Sequence, residues 1–236
     1  MKKPYPQHLI HTLIHHSRSF LVPIMIGLSA SACAETNTAL PFPNLNEPVS
    51  TSPEVVVFSG GCFWGVQGVF QHVQGVIKAT SGYAGGSRST AHYDMVSEGN
   101  TGHAESVKVE FDPSKVSFGE LLRIYFSVAH DPTQLNHQGP DTGTQYRSAI
   151  WYSSDSQQKV AHAYVAQLSK AHLFHDPIVT QINPLKGFYA AEDYHQNYLT
   201  LHPDNPYIAF NDLPKVENLK RLYPTDYRVT PVLVEK

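Results

Sequence analysis

A run of apolar, mostly β-branched residues, Val55-Val56-Val57-Phe58, ends in Ser59-Gly60-Gly61, and a cysteine follows at once. A different period then begins. Phe63, Val66, Phe70 and Val73 stand at i, i+3, i+7 and i+10, one face of a helix. The stretch predicts strand, tight turn and helix, with Cys62 at the helix N-terminus. Free backbone N–H groups and the positive end of the helix dipole favour a thiolate there. The glycines permit backbone conformations and close approaches that a side chain forbids. Phe63 and Trp64 add aromatic surface beside the sulfur. The alternative is a buried structural cysteine, the commoner fate of a free Cys. Such a residue needs neither Gly-Gly before it nor a helix start after it.

Residues 1–33 read as an export signal. Lys2, Lys3 and Arg18 form a basic n-region, and residues 20–32 are apolar or small throughout. That segment is too short for a bilayer span and fits the h-region of a cleaved signal. Ala30-Ser31-Ala32-Cys33 has the small residues that precede the lipid-modified cysteine of a bacterial lipoprotein, although that motif usually has Leu where Ala30 stands. The rival reading is ordinary signal cleavage near Ala32 or Ala34. Both place the protein outside the cytoplasm, either in the periplasm or anchored to a membrane through Cys33. Residues 34–53 carry Pro41, Pro43, Pro48 and Pro53 among polar residues and predict an extended, mobile linker. Residues 54–236 are long enough for one core. The formal net charge is −3 with no basic cluster, which argues against a nucleic-acid partner.

Within that domain, residues 76–83 predict a second strand. A polar loop over residues 87–102 carries Tyr93. Val107, Val109 and Phe111 alternate with Lys108 and Glu110 in a half-buried strand that Asp112-Pro113 ends. Glu105 falls on the apolar phase of this strand. It is either a solvated strand-end carboxylate or a functional group with a raised pKa. Ser117-Phe118-Gly119-Glu120 is a capping box at the start of a helix. A polar loop over residues 130–148 holds Asp141 and Tyr146, and its turn residues would suit an ordinary surface loop equally. His130, Asp131 and His137 match no strong metal-ligand spacing, so no metal is expected. A helix over residues 153–170 and a short strand over 178–182 follow. Residues 188–199 are dense in tyrosine and include His195 and Tyr198. The Pro-rich tail after them should wrap the domain.

Gly61-Cys62-Phe63-Trp64-Gly65 resembles the signature of the A-type peptide methionine sulfoxide reductases. Gly102-His103-Ala104-Glu105, residues 143–148 and residues 192–199 resemble further motifs of that family, in the family's order. The resemblance implies thiol-dependent reduction of the S epimer of methionine sulfoxide, free or in proteins, repairing oxidised proteins. It implies an α+β fold, a two-layer sandwich of mixed sheet and packed helices with a ferredoxin-like core. The strand–helix–strand order read above agrees with it. By the same resemblance Cys62 is the nucleophile and passes through a sulfenic acid, and Glu105 protonates the sulfoxide oxygen. Tyr93 and Tyr146 hydrogen-bond that oxygen, and Asp141 is a polar group of the site. Phe63 and Trp64 form the pocket for the substrate methyl group, with His195 and Tyr198 lining the site. The chemistry needs such a set. A sulfoxide sulfur is a poor electrophile until its oxygen is protonated or its growing charge is met by donors.

The chain departs from many family members by lacking C-terminal cysteines. It holds two cysteines in all, Cys33 and Cys62. The expectation is a single-cysteine enzyme without a bound cofactor, whose sulfenic acid is reduced by an external thiol, a thioredoxin-like protein or a small one. No apolar stripe demands a second copy, so a monomer is expected. Two other readings stand beside the reductase. One is a thiol hydrolase using Cys62 with His195, and the other is a tethered module whose aromatic pocket binds methionine without chemistry.

Overall fold

The apolar run is strand β1 (Glu54–Ser59), and across the Gly-Gly turn Cys62 caps helix α1 (Phe63–Gln71). The computed structural model that shows this describes residues 39–235, so the leader and Cys33 lie outside it. Strand β2 (Val76–Ala84), a short helix α2 (Tyr93–Val96) and strand β3 (Ala104–Phe111) follow. Helix α3 (Phe118–Ile124) runs on as a π-helical turn, Tyr125–Ala129. A small hairpin, β4 (His137–Gln138) and β5 (Asp141–Thr142), precedes β6 (Ala149–Tyr152) and the long helix α4 (Asp155–Lys170). Then come β7 (Gln181–Pro184), β8 (Phe188–Ala190) and helix α5 (Tyr198–Leu201). A second π-helical turn, Ile208–Asp212, leads into helix α6 (Leu213–Leu222).

Six strands form one mixed sheet in the order β7-β6-β1-β3-β2-β8. Every pairing is antiparallel except β6 with β7. The inner four, β6-β1-β3-β2, with α1 between β1 and β2 and α3 between β3 and β6, make the expected ferredoxin-like core. The period-two rule sorts the strands. Val56, Phe58, Val107, Val109 and Ile150 face a core shared with Phe70, Leu121, Val160, Tyr164 and Leu219 of the helices. Val57, Ala84, Ala104, Ala149 and Trp151 form a smaller cluster with Leu185 and Phe188. Phe58 is the centre of the larger cluster. Its ring stacks on Phe70 at 5.0 Å and on Tyr125 at 4.6 Å between centroids.

The end of β1 is pinned from three directions. Tyr125 Oη donates to the Ser59 carbonyl at 2.6 Å, Trp151 Nε1 donates to Ser59 Oγ at 2.8 Å, and Ser59 Oγ lies 2.7 Å from Ser106 Oγ. The chain then turns through Gly61 at φ +86°, where a Cβ would sit 2.5 Å from Gln138. Only glycine accepts that conformation without strain. The turn thus delivers Cys62 to a fixed point above the sheet.

The capping box forms as the residues predict, with Ser117 accepting from the Glu120 N–H and Glu120 accepting in return. Elsewhere the expectations need correction. The short strand expected over residues 178–182 is displaced to Gln181–Pro184. The expected flexible linker, residues 34–53, is largely a docked strap from Ala39 onward. Leu40 is buried, and its carbonyl accepts from Arg123 Nε. Tyr164 Oη donates to the Pro41 carbonyl at 2.8 Å, and Asn46 Oδ1 accepts from the Gly119 N–H at 3.0 Å, at the start of α3. The Arg123 guanidinium stacks over Phe42 at 4.1 Å. Composition misleads here because a proline-rich segment with no core of its own can still lend one apolar side chain and several carbonyls to a neighbouring helix pair.

Leu40→Ala is expected to destabilise the domain by about 2–3 kcal/mol, the lower part of the range for truncating a buried leucine. Equilibrium urea unfolding checks it, and an unchanged midpoint would return the strap to a free linker.

Candidate active site

The apolar phase of β3 places the Glu105 side chain under the N-terminus of α1. Glu105 is 3% exposed, and its Oε2 accepts from the Phe63 N–H at 3.0 Å. Burial is the main force on this carboxyl. It raises the pKa to about 8 against the pull of the Phe63 N–H, with Asp141 and Asp212 adding to the rise. Glu105 is therefore mostly protonated at neutral pH.

Cys62 is 8% exposed at the N-cap of α1. The helix N-terminus alone predicts a lowered thiol pKa, and the structure corrects this. Burial holds the thiol well above its ordinary value, and the charges of Glu105 and Asp212 add to the rise; the Trp64 N–H and Lys215 oppose it. The resting site therefore holds a neutral thiol. Protonation of Glu105 removes one charge that opposes the thiolate, while burial, the larger cause, remains.

The aromatic residues close around the next turn. Trp64 Nε1 donates to His195 Nδ1 at 3.1 Å, and the Trp64 ring stacks on Tyr198 at 3.8 Å. His195 also meets Phe63 at 4.9 Å and Tyr93 at 4.6 Å. Burial lowers the His195 pKa. Its Nδ1 accepts from Trp64, so the imidazole is neutral with its proton on Nε2. His195 is thus placed to orient Trp64, and the nearby Glu192 carboxylate is taken by the Tyr83 hydroxyl and the Tyr93 N–H rather than aligned on the imidazole as a hydrolase triad would need. Tyr93 and Tyr146 sit within reach of the same charges. Burial first, then the charge of Glu105, keeps both phenols above their ordinary pKa and hence as hydrogen-bond donors. Asp141 accepts from the Tyr207 hydroxyl, and burial raises its pKa. The structure therefore brings all of the residues singled out in the domain to one place: Cys62, Glu105, Phe63, Trp64, Tyr93, Asp141, Tyr146, His195 and Tyr198.

Sequence reasoning missed others. Glu192 takes the Tyr83 hydroxyl at 2.8 Å and the Tyr93 N–H at 3.0 Å, and so fixes the start of α2. Tyr207 bridges Asp141 and the edge of Trp64, at 6.0 Å between centroids. Asp212 and Lys215 reach α1 from the start of α6. A signal for that helix was present, because an acid followed by a proline in the first turn marks a helix start. A cavity of about 250 Å³ opens on Cys62, walled in part by Phe126, His130, Asp141, Tyr207 and Lys215. Among the described residues no group of His, Cys, Asp and Glu could hold a metal ion. His130 is spent on structure, with Nδ1 3.0 Å from the Tyr125 carbonyl and Nε2 2.7 Å from Ser148 Oγ.

A buried thiol beside a protonated carboxyl, within an aromatic wall and two phenol donors, defines an α+β enzyme with cysteine-based chemistry. The comparisons with known proteins narrow this. The family model for peptide methionine sulfoxide reductase matches residues 54–226. A peptide methionine sulfoxide reductase MsrA 2 of Mesorhizobium japonicum is 59% identical, over 80% of this chain and 97% of its own. One from Synechocystis is 49% identical over 75% of this chain and 84% of its own. Among solved structures, methionine sulfoxide reductase A of Corynebacterium diphtheriae has a TM-score of 0.56 at 34% identity, over 72% of this chain and 90% of its own. Reduced Mxr1 of Saccharomyces cerevisiae has a TM-score of 0.59 at 32% identity, over 69% of this chain and 92% of its own. The chain belongs to the peptide methionine sulfoxide reductase family, oxidoreductases that return methionine sulfoxide to methionine.

The raised pKa of Glu105 has a stability consequence with a definite sign. The unfolded carboxyl loses its proton near pH 4.5 and the folded one near pH 8, so stability falls as pH rises through that window. The slope approaches about 1.4 kcal/mol per pH unit. Glu105→Gln is expected to remove this slope, leaving the variant more stable than the parent above pH 8, with the gap closing towards pH 4.5. Urea unfolding of both proteins across that range checks it.

Proposed function

We propose that Cys62 and Glu105 carry the reduction as nucleophile and general acid, acting on the S epimer of methionine sulfoxide, free or within proteins. The observation that carries this reading is the Glu105 carboxyl. It is buried, held by the Phe63 N–H at 3.0 Å one residue from Cys62, and protonated at neutral pH. The Cys62 thiolate attacks the sulfoxide sulfur while Glu105 gives its proton to the oxygen. Tyr93 and Tyr146 donate to that oxygen as charge grows on it, in a site where burial strengthens such bonds. The hydroxyl so formed then passes from the substrate sulfur to Cys62 Sγ: an Sγ–O bond forms as the substrate S–O bond and the transient Sγ–S bond break, methionine leaves with the sulfur electron pair, and Cys62 is left as a sulfenic acid. The Phe63 and Trp64 rings receive the substrate methyl group, Trp64 being held by His195 and Tyr198. Asp141, tied to Tyr207, stands ready to accept from a substrate N–H.

Two reducing equivalents must then come from outside. Cys62 is the free cysteine among the described residues, and the remaining Cys33 belongs to the leader segment. A thioredoxin-like dithiol or a small thiol attacks the sulfenic sulfur, releasing water. A second thiol then resolves the mixed disulfide and restores Cys62.

Single turnover without reductant tests the chemistry. The expected result is about one methionine per enzyme from the S epimer alone, with Cys62 trapped as sulfenic acid. Cys62→Ser should form none. Glu105→Gln should slow the step by about 10²–10⁴-fold, the range for a general acid. The parent rate should fall as pH rises past about 8, where Glu105 loses its proton. A near-normal rate for Glu105→Gln at neutral pH would remove Glu105 from the acid role.

The composition of residues 1–33 supports export, with Cys33 as the lipid-bearing residue at the membrane face. No helix of the described residues is long and apolar enough to cross a membrane. Metabolic labelling with a fatty acid is expected to mark the parent and not Cys33→Ala. A mature protein cleaved near Ala32 or Ala34 and free of lipid would favour ordinary secretion.

A further inference from the structure

We propose that the Lys215 ammonium, clamped beside Cys62 by the buried carboxyl of Asp212, is the counter-charge that lets the Cys62 thiol ionise for attack. The proposal rests on Cys62 being the nucleophile. Lys215 acts through Cys62 and need not touch substrate, so it is a positioning residue.

Asp212 closes the second π-helical turn and is 0% exposed. Lys215 stands one turn later on α6, with its side chain 19% exposed and Nζ 3.1 Å from Asp212 Oδ1. Both groups press on Gly65, in the first turn of the helix that Cys62 caps. A Cβ at position 65 would lie 2.1 Å from Asp212 Oδ1 and 2.9 Å from Lys215 Nζ. The bare glycine is what lets an ammonium and a carboxyl lie against the N-terminal turn of α1. Lys215 and Cys62 also share the walls of one cavity.

The charges facing the sulfur explain why a cation is needed. Glu105 approaches from β3 and Asp212 from the π-helical turn, and the charge of each opposes a thiolate; Asp141 of β5 lines the same cavity. Tyr93, Tyr146 and Tyr207 are neutral donors. His130 and His195 are kept neutral by burial. Lys215 is the cation among these groups. Protonation of Glu105 removes one opposing charge and leaves that of Asp212. A lysine next to a cysteine favours the thiolate, which is the reactive form. Asp212 Oδ2 is buried with no hydrogen-bond partner among the described residues, which leaves Lys215 as the partner of this carboxyl. The bond from Lys215 Nζ to Oδ1, at 3.1 Å, fixes where the ammonium stands.

The test is the pH profile of Cys62 alkylation by iodoacetamide in the reduced full-length protein. It is read by mass spectrometry on the peptide containing Cys62, so that Cys33 does not contribute. Lys215→Met keeps the length of the side chain and removes the charge. Its profile is expected to shift upward by about one pH unit, with alkylation about tenfold slower at pH 7. Lys215→Arg should stay close to the parent. If Lys215→Met fails to fold by circular dichroism, Lys215→Gln, which still offers Asp212 a donor, is read in the same way. A folded neutral variant that titrates like the parent overturns the role of Lys215. A parent that forms no methionine from either epimer overturns instead the assignment of Cys62, and the two failures are distinguishable.

Discussion

One hydrogen bond joins the two halves of the chemistry. The N–H of Phe63, the first residue of α1, is given to the carboxyl of Glu105 at 3.0 Å. A helix N-terminus has free donors, and a buried carboxyl needs one. Meeting that need fixes α1 over the end of β3 and sets the thiol and the acid side by side. It also fixes the state of each. The same burial that keeps Glu105 protonated keeps the thiol neutral, and a charge on Glu105 would oppose a thiolate. A site built this way can hold a thiolate and a carboxylic acid together more easily than two anions, and that pairing is what the proposed reduction uses.

The rest of the architecture serves to keep that contact from slipping. Ser59 is held by Tyr125, Trp151 and Ser106, so the turn into Cys62 starts from a fixed point. The far side of α1 is held by amides. Gln67 Nε2 donates to the Ala79 carbonyl at 3.0 Å and to Gln196 at 2.9 Å, and Gln71 Nε2 donates to Asn197 Oδ1 at 2.8 Å. A buried amide left alone costs stability, so these paired donors favour one position for the helix. The dense polar stretch near residue 196 thus has two uses. Gln196 and Asn197 anchor α1, while His195 and Tyr198 on either side of them shape the wall around Trp64. The tail reinforces the same helix, with the Val232 N–H donating to the Gln71 carbonyl at 3.0 Å.

Local pattern carried much of the fold. The period of β1 and α1, the alternation of β3, the Ser117 capping box and the order of strands and helices were all legible, because each is set by near neighbours in the chain. Glu105 was legible as an anomaly, a carboxyl on the apolar phase of a strand. The strap at residues 39–47 was misread because its stability comes from Arg123, Tyr164 and Gly119, which no local composition reveals. The thiol was misread for a related reason. The helix N-terminus is local and favours ionisation, whereas the burial and the carboxyls that outweigh it are brought by distant strands and turns.

By itself, then, the chain's residues determined which groups could react, which periods would fold and which family motifs they compose. Tertiary structure alone decided that Glu192 would anchor α2, that Tyr207 would hold Asp141, and that Asp212 and Lys215 would rest on Gly65. These are contacts between segments far apart in sequence. Their energies depend on distance and desolvation, and both exist only once the sheet and α6 have enclosed Cys62.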